Sequence, residues 1–263
     1  KQLMRKGIRI VLKVLLWLDI AVVVVIAGFI GYRTIKTNQS KKAAQEKLVP
    51  EVPVLQHKGT SVRDLNKNGE VDPYENPNAP LETRIQDLLA QMTMDEKAGM
   101  MVHPFLFANP DSAFFSIGMF TGLTPEELIV NRNIRHITSS LGGSDPVVHA
   151  RWQNQMQRLA ARSRLGIPVS VSSDPRHSNK AGAAVVMGGI SKWPDQLGLG
   201  AARDSAMVAE FGRIAAKEYR AMGIHTALHP MIDLATEPRW ARISGTFGSD
   251  AQLSSKLGAA YIN

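Results

Sequence analysis

Cysteine is absent from this chain of 263 residues, so no disulfide bond supports its fold. That absence fits either side of a bacterial inner membrane. A chain of this length can bury one substantial core, or one domain together with an appendage. The sequence also has no repeat of solenoid period and no low-complexity tract in its globular part.

The chain has a net charge of +8, but most of its length carries no net positive charge. Residues 1–50 hold ten Lys or Arg and only two acidic residues, which accounts for the whole excess. The remaining 213 residues carry 21 basic and 21 acidic side chains. Because a neutral domain has no overall attraction for a polyanion, the sequence predicts no nucleic-acid partner.

The basic residues flank an apolar run from Val14 to Tyr32. Its nineteen residues would form a helix of roughly 28 Å, close to the hydrocarbon thickness of a bilayer. Asp19 lies near the N-terminal end of the run, where a charge costs less. A cleaved signal peptide is the alternative, but no small-x-small cleavage pattern follows. We therefore predict a basic N-terminus and transmembrane or signal-anchor helix over residues 1–36, with an inner-membrane-anchored domain facing the periplasm or the outside.

Residues 37–60 are polar with little periodicity and are predicted as a linker. Beyond them, helical patterns such as Asp204–Met222 alternate with short apolar strands at Val169–Val171 and Thr226–Leu228. This alternation predicts an α/β fold with a parallel sheet, open or closed. Polar residues follow both strands, as Ser173-Asp174 and Asp233, and in a (β/α)₈ barrel that strand end is the catalytic face.

Residues 61–80 contain a pattern typical of a calcium-binding EF-hand loop. Twelve consecutive residues place oxygen side chains at positions 1, 3, 5, 9 and 12, a glycine at the sharp turn, and a backbone carbonyl at position 7. The predicted ligands are Asp64, Asn66, Asn68, Glu70 (through its carbonyl), Asp72 and Glu75. The alternative is a solvated turn rich in Asn and Gly. We predict a structural Ca²⁺ ion that clips the linker to the domain.

Four segments, in this order, resemble glycoside hydrolase family 3. They are RIQDLLAQMTMDEKAGMM (84–101), RLGIPVSVSSDPRHS (164–178), WPDQLGLGAARD (193–204) and PMIDLATEPRWAR (230–242). The resemblance covers roughly residues 60–263 and implies that residues 81–263 are the N-terminal portion of a (β/α)₈ TIM-type barrel, incomplete in this chain. It also implies a β-glucosidase-like hydrolase that acts on terminal β-linked sugars with retention, and an oligosaccharide or β-glucoside as its substrate.

The same resemblance implies four substrate-binding residues. Asp174 looks like the carboxylate that binds hydroxyls of the terminal sugar, with a turn or helix-cap role as the alternative. Arg242 resembles the family arginine of the PRWxR motif that grips the same sugar, with a surface salt bridge as the alternative. Trp240 is expected to pack beneath that sugar. His177 is expected at the pocket mouth, unless it is only a hydrogen-bonded loop residue.

The catalytic pair of the family has no counterpart in these residues. The nucleophilic aspartate and the acid/base follow later in family members, so both are expected beyond Asn263, and the 263-residue chain alone is expected to be inactive. No glycine elbow surrounds Ser172 and Ser173, which argues against a serine nucleophile. A non-catalytic carbohydrate-binding protein and a calcium-dependent cell-envelope protein stay open as alternatives, and the sequence gives no oligomeric state.

Overall fold

The computed structural model describes residues 2–49, 51–107, 117–118, 123–140, 145–173, 177 and 189–263. The α-helices in these residues are α1 (Gln2–Lys47), α2 (Leu81–Gln91), α3 (Met94–Met100), α4 (Pro146–Ala161), α5 (Gln196–Ala202), α6 (Ser205–Met222) and α7 (Ala251–Ile262). A π-helix covers Glu127–Asn131 and a 3₁₀ helix covers Ile243–Gly245. The strands are β1 (Val54–His57), β2 (Thr60–Arg63), β3 (Phe105–Phe107), β4 (Ile117–Gly118), β5 (His136–Ser140), β6 (Ser170–Ser173) and β7 (Thr226–Ala227).

A sheet with the strand order β4-β3-β5-β6-β7 forms the centre of the protein. Strands β3, β5, β6 and β7 are parallel, and β4 pairs with β3 in the antiparallel sense. The parallel strands follow one another in chain order without a reversal. A doubly wound sheet reverses its order at the ligand crevice, whereas a (β/α)₈ barrel does not. The predicted parallel α/β fold is therefore confirmed, and its strand order is that of a barrel segment.

The two faces of this sheet differ in polarity. Ile137 of β5 and Val171 of β6 are fully buried and belong to one core with Trp152 of α4. Thr138 and Ser172 alternate with them on the opposite face, and their hydroxyl oxygens lie 2.9 Å apart. The apolar face thus contacts helices, while the polar face is the one that lines the interior of a closed barrel.

The predicted helix Asp204–Met222 is confirmed as α6. The Asp204 side chain caps it by accepting hydrogen bonds from the N–H groups of Ala206 and Met207. Gly223 ends it in the left-handed conformation, at φ +81°. The apolar side of α6 forms a second core with α7, which includes Val208, Phe211, Ala215 and Leu257.

A capping box begins α3. Thr93 Oγ1 accepts from the N–H of Glu96, and the Glu96 carboxylate accepts from the N–H of Thr93 at 2.9 Å. Arg164 donates to the same carboxylate through Nε at 2.9 Å. Because Arg164 lies just after α4, this carboxylate attaches α3 to the turn between α4 and β6.

Residues 37–60, predicted as a linker, are mostly regular structure instead. Helix α1 continues through the first part of this segment, since it is rich in strong helix formers and Ala44 packs in the same core as Leu128. Strands β1 and β2 then pair as a hairpin with positive φ at Lys58 and Gly59, as in a two-residue type I′ turn. The residues of α1 that face the barrel are small or polar, so the sequence shows no apolar stripe there.

Replacing Gly212 by alanine is expected to lower the free energy of unfolding by about 1–3 kcal/mol. A methyl group at this position of α6 would collide with the backbone carbonyl of Tyr261 in α7. Alanine in a helix interior otherwise stabilises by roughly 0.5–1 kcal/mol relative to glycine, so a net loss isolates the collision. Urea unfolding followed by circular dichroism measures the change. An unchanged or larger free energy of unfolding would contradict the close packing of α6 on α7.

Candidate functional site

The candidate sugar site lies at the carboxyl edge of β6 and β7. Ser173 ends β6 level with Ala227 of β7, and its carbonyl accepts a hydrogen bond from the N–H of Leu228 at 2.8 Å. Asp174 follows Ser173 directly in the chain but lies outside the described residues. The segment that carries Arg242 therefore leaves the sheet beside the strand that Asp174 follows.

Arg242 is exposed and stands at the start of the 3₁₀ helix. Its carbonyl accepts from the N–H of Gly245 at 2.9 Å, and its Nη2 lies 3.3 Å from Sδ of Met231. Within the residues that the structure covers, Arg242 forms no ion pair with a carboxylate. Its guanidinium is thus available to a ligand, which disfavours the surface salt bridge considered from the sequence.

Trp240 is half-buried in the turn that leads to Arg242. Its N–H donates to the carbonyl of Glu237 at 3.1 Å, and its own carbonyl accepts from Ile243 at 3.1 Å. Arg239 points into solvent, with 89% of its side chain exposed, and pairs with Glu237 at 2.9 Å. Trp240 and Arg242 therefore lie on one turn, whereas the side chain of Arg239 extends into solvent.

His177 lies in the interior of the protein, whereas the sequence predicts it at a pocket mouth. Its Nε2 lies 2.9 Å from a carboxylate oxygen of Glu218, and its Nδ1 lies 2.8 Å from the hydroxyl of Tyr219. The ring meets Phe211 edge-on, with centroids 5.2 Å apart. Burial lowers the pKa of His177, and the hydrogen bond and charge of Glu218 oppose that shift. With both ring nitrogens engaged, His177 itself is held against α6.

Glu218 of α6 holds residues next to the candidate site, a role that the sequence does not predict. Besides His177, its carboxylate accepts from the N–H and the hydroxyl of Ser191, each at 2.8 Å. Trp193 donates its indole N–H to the same Ser191 hydroxyl at 3.0 Å. One carboxylate thus holds both His177 and Ser191, at the two ends of the segment that follows Asp174. No motif in a single sequence marks this role, because the partners lie 41 and 27 residues away.

The loop of residues 61–80 buries two carboxylates side by side. Asp64 is 1% exposed and Glu75 is 7% exposed. Asp64 accepts from the N–H groups of Asn68 and Gly69 at 3.1 and 3.0 Å. Glu75 accepts from the N–H groups of Leu65, Asn66 and Asp72. In the described part of the chain neither carboxylate forms an ion pair.

The two asparagines of the loop present their amide nitrogens to Asp72. The Nδ2 atoms of Asn66 and Asn68 each donate to one Asp72 oxygen at 2.7 Å. Among the residues described, no group of three or more His, Asp or Glu is arranged to hold a metal ion. The loop is attached to the domain by Lys67, which donates to the carbonyls of Ala161 and Ser163. Burial lowers the pKa of Lys67 to about 8.

Comparison with known proteins identifies the family. The model of the glycosyl hydrolase family 3 N-terminal domain matches residues 94–263. The chain therefore belongs to glycoside hydrolase family 3. A periplasmic β-glucosidase/β-xylosidase of Dickeya chrysanthemi is 39% identical over 219 residues, which are 80% of this chain and 32% of that protein. β-Glucosidase C of Emericella nidulans is 41% identical over 194 residues, which are 72% of this chain and 30% of that protein.

Solved structures show the same fold. Comparison with a β-glucosidase from Erythrobacter marinus gives a TM-score of 0.57 and 25% identity, over 73% of this chain and 24% of that chain. A β-glucoside phosphorylase gives a TM-score of 0.56 at 19% identity, over 73% of this chain and 31% of that chain. The chain spans about a third of the length of the first relatives. The predicted family and its TIM-barrel-type α/β fold are confirmed.

The stability of this family 3 domain is expected to fall as the pH drops below about 6.5. The pKa of His177 is lowered from 6.5 in the folded protein, so the unfolded chain binds more protons in that range. His177→Gln removes this titration while keeping an N–H donor for Glu218. Unfolding free energies at pH 7.5 and pH 5.5 should therefore differ less in the variant than in the wild type. Equal differences would contradict a buried neutral His177.

Proposed function

We propose that the complete protein is a β-glucosidase-like hydrolase that releases terminal β-linked sugars with retention. This chain supplies part of the subsite for the terminal sugar. The proposal is supported above all by Arg242, an exposed guanidinium without an ion-pair partner in the described residues, on the segment beside the strand that Asp174 follows. The names of two relatives at 39% and 41% identity agree with it.

The chemistry of the subsite follows from its residue types. A guanidinium and a carboxylate can each form forked, charge-assisted hydrogen bonds with neighbouring sugar hydroxyls. The half-buried ring of Trp240 offers an apolar surface beside Arg242. Retention needs two carboxyl groups about 5–5.5 Å apart, one as nucleophile and one as acid/base. We expect that pair from parts of the protein outside these 263 residues.

Replacing Asp174 or Arg242 by alanine in the protein expressed from its complete reading frame is expected to lower kcat/KM by about 100-fold or more. Each change removes charge-assisted bonds that hold the sugar in the transition state. Hydrolysis of 4-nitrophenyl β-D-glucoside measures the loss. Arg239→Ala is the matched control, because this arginine lies three residues from Arg242 and points into solvent beside Glu237.

Wild-type kcat/KM in both variants would refute the assigned subsite. A wild-type protein that binds glucose but hydrolyses no β-glucoside would instead identify a non-catalytic carbohydrate-binding protein. Arg239→Ala should stay within about twofold of the wild type, since an exposed salt bridge contributes little.

We also infer that the loop of residues 61–80 binds a structural Ca²⁺ ion. Asp64 and Glu75 are buried carboxylates without an ion-pair partner among the described residues, and a divalent cation would neutralise both. Rotation of the Asn66 and Asn68 amides would exchange nitrogen for oxygen and complete an oxygen ligand set with Asp72. The ion would supply only rigidity, because the loop carries no group assigned to the reaction.

Calcium is expected to raise the unfolding temperature of the protein, and Asp64→Ala and Glu75→Gln are expected to abolish the increase. A concentration of 100 times Kd stabilises a folded protein by about 2.7 kcal/mol. Glu70→Gln is the matched control, since this residue would bind through its backbone carbonyl and its side chain is exposed. Calorimetric titration of EDTA-treated protein measures the binding. Absence of both heat and a thermal shift would rule the site out.

We further propose that Val14–Tyr32 spans a membrane and that the domain faces the periplasm or the outside. Helix α1 is long and apolar enough to cross a bilayer by length and composition, and a signal sequence has the same properties. Every residue from 12 to 32 is exposed, so no described part of the protein covers this apolar run. The name of the Dickeya relative, which calls it periplasmic, agrees with this location.

A further inference from the structure

Helix α1 does not end where its apolar run ends. It continues to Lys47, and a stripe of its residues turns toward the π-helix Glu127–Asn131. Ser40 donates its hydroxyl to Glu127 at 2.6 Å, and Asn131 donates to the carbonyl of Ser40 at 3.3 Å. One turn later, Ala44 is completely buried in the core of the barrel. The anchor helix and the barrel are therefore packed together without a flexible spacer.

This packing fixes the distance between the barrel and the proposed membrane. Ser40 follows Tyr32 by eight residues, which is about 12 Å along a helix. The polar headgroup layer on each side of a bilayer is roughly 5–7 Å thick. The contact of Ser40 with Glu127 thus lies roughly 5–7 Å beyond the headgroup layer.

A cleft of about 400 Å³ opens between α1 and the barrel at this level. Arg33, Lys36 and Thr37 line it from the helix, and Thr124 and Arg132 line it from the barrel. Of the residues that line the cleft, three are cationic and one is acidic.

Glu127, the acidic residue among those that line the cleft, is engaged by its neighbours. Its carboxylate accepts from Ser40, from Asn131 at 2.8 Å and from Nε of Arg132 at 2.9 Å. Arg132 uses one of its five N–H donors in this way, so the other four donors of its planar guanidinium are available to an anion. Lys36 lies 6.0 Å from the centre of the Tyr32 ring, so its ammonium group reaches back toward the membrane end of the helix.

We propose that this cleft binds the headgroup phosphate of an anionic phospholipid from the membrane that α1 crosses. The inference rests on the membrane anchoring proposed above. Arginine and lysine side chains on two sides of the cleft supply forked and point-charge donors that suit a phosphate. The lipid would bridge α1 and the π-helix and hold the barrel at one orientation to the bilayer surface.

The test uses the full chain in nanodiscs of phosphatidylcholine alone and in nanodiscs that also contain phosphatidylglycerol. Hydrogen exchange of residues 123–132 is measured by mass spectrometry at increasing phosphatidylglycerol content. Phosphatidylglycerol is expected to slow exchange in the π-helix. Lys36→Gln and Arg132→Gln each remove one charge from the cleft. Each variant should need about fivefold more phosphatidylglycerol than the wild type for the same slowing of exchange. Lys42→Gln and Arg151→Gln remove the same charges outside the cleft and should behave as the wild type.

The outcomes separate this inference from the anchoring on which it rests. Incorporation into both kinds of disc with the same exchange rates would overturn the headgroup site and leave the anchor intact. Failure to enter either disc would overturn the anchor, and the headgroup site with it. Equal protection by inorganic phosphate added to phosphatidylcholine discs would assign the cleft to free phosphate and overturn the membrane source.

Discussion

The turn Ala161–Leu165, between α4 and β6, is the junction on which the other segments converge. The last carbonyls of α4 lack partners within the helix, and Lys67 of the loop 61–80 donates to that of Ala161 and to the carbonyl of Ser163 two residues further on. A cation is also favoured at this negative end of the helix dipole. Three further segments contact the same turn. The N–H of Val49 donates to the carbonyl of Arg162, and Arg135 donates to the hydroxyl of Ser163. Glu96 pairs with Arg164.

One strand, β6, connects this junction to the candidate sugar site. Strand β6 begins five residues after Leu165, and its parallel register sets Ser170 opposite His136 and Ser173 opposite Ala227. That register decides which residues leave the sheet at the carboxyl edge, where a barrel carries its chemistry. A slip of one residue would turn the polar face of β6 toward α4 and bury hydroxyls in an apolar core. The polar site and the apolar core are therefore fixed by the same pairing.

Elements with a complete local signal were predictable from the sequence, and elements with buried polar residues were predictable only in part. Helix α6 has its cap, its apolar stripe and its terminal glycine in one stretch, so its bounds were predicted to within one residue. Helix α4 begins at Pro146, where Asp145 and Pro146 carry a cap signal, but a regular apolar period starts only at Trp152. Its first turns bury His149, whose Nδ1 lies 3.2 Å from the carbonyl of Met222, and a buried histidine breaks the apolar period.

The candidate site was predictable as residue types but not as an arrangement. The sequence predicts Arg242 as a site residue because its motif is local, and the structure leaves its guanidinium exposed to solvent. The sequence cannot tell that His177 faces inward, because Glu218 and Tyr219 determine this and lie on a helix 41 and 42 residues further on. Moving this buried imidazole would break its hydrogen bonds with the Glu218 carboxylate and the Tyr219 hydroxyl, so it acts as a fixed point in the fold. His177 and Ser191 therefore owe their positions to α6, a helix that carries none of the residues proposed to touch the sugar.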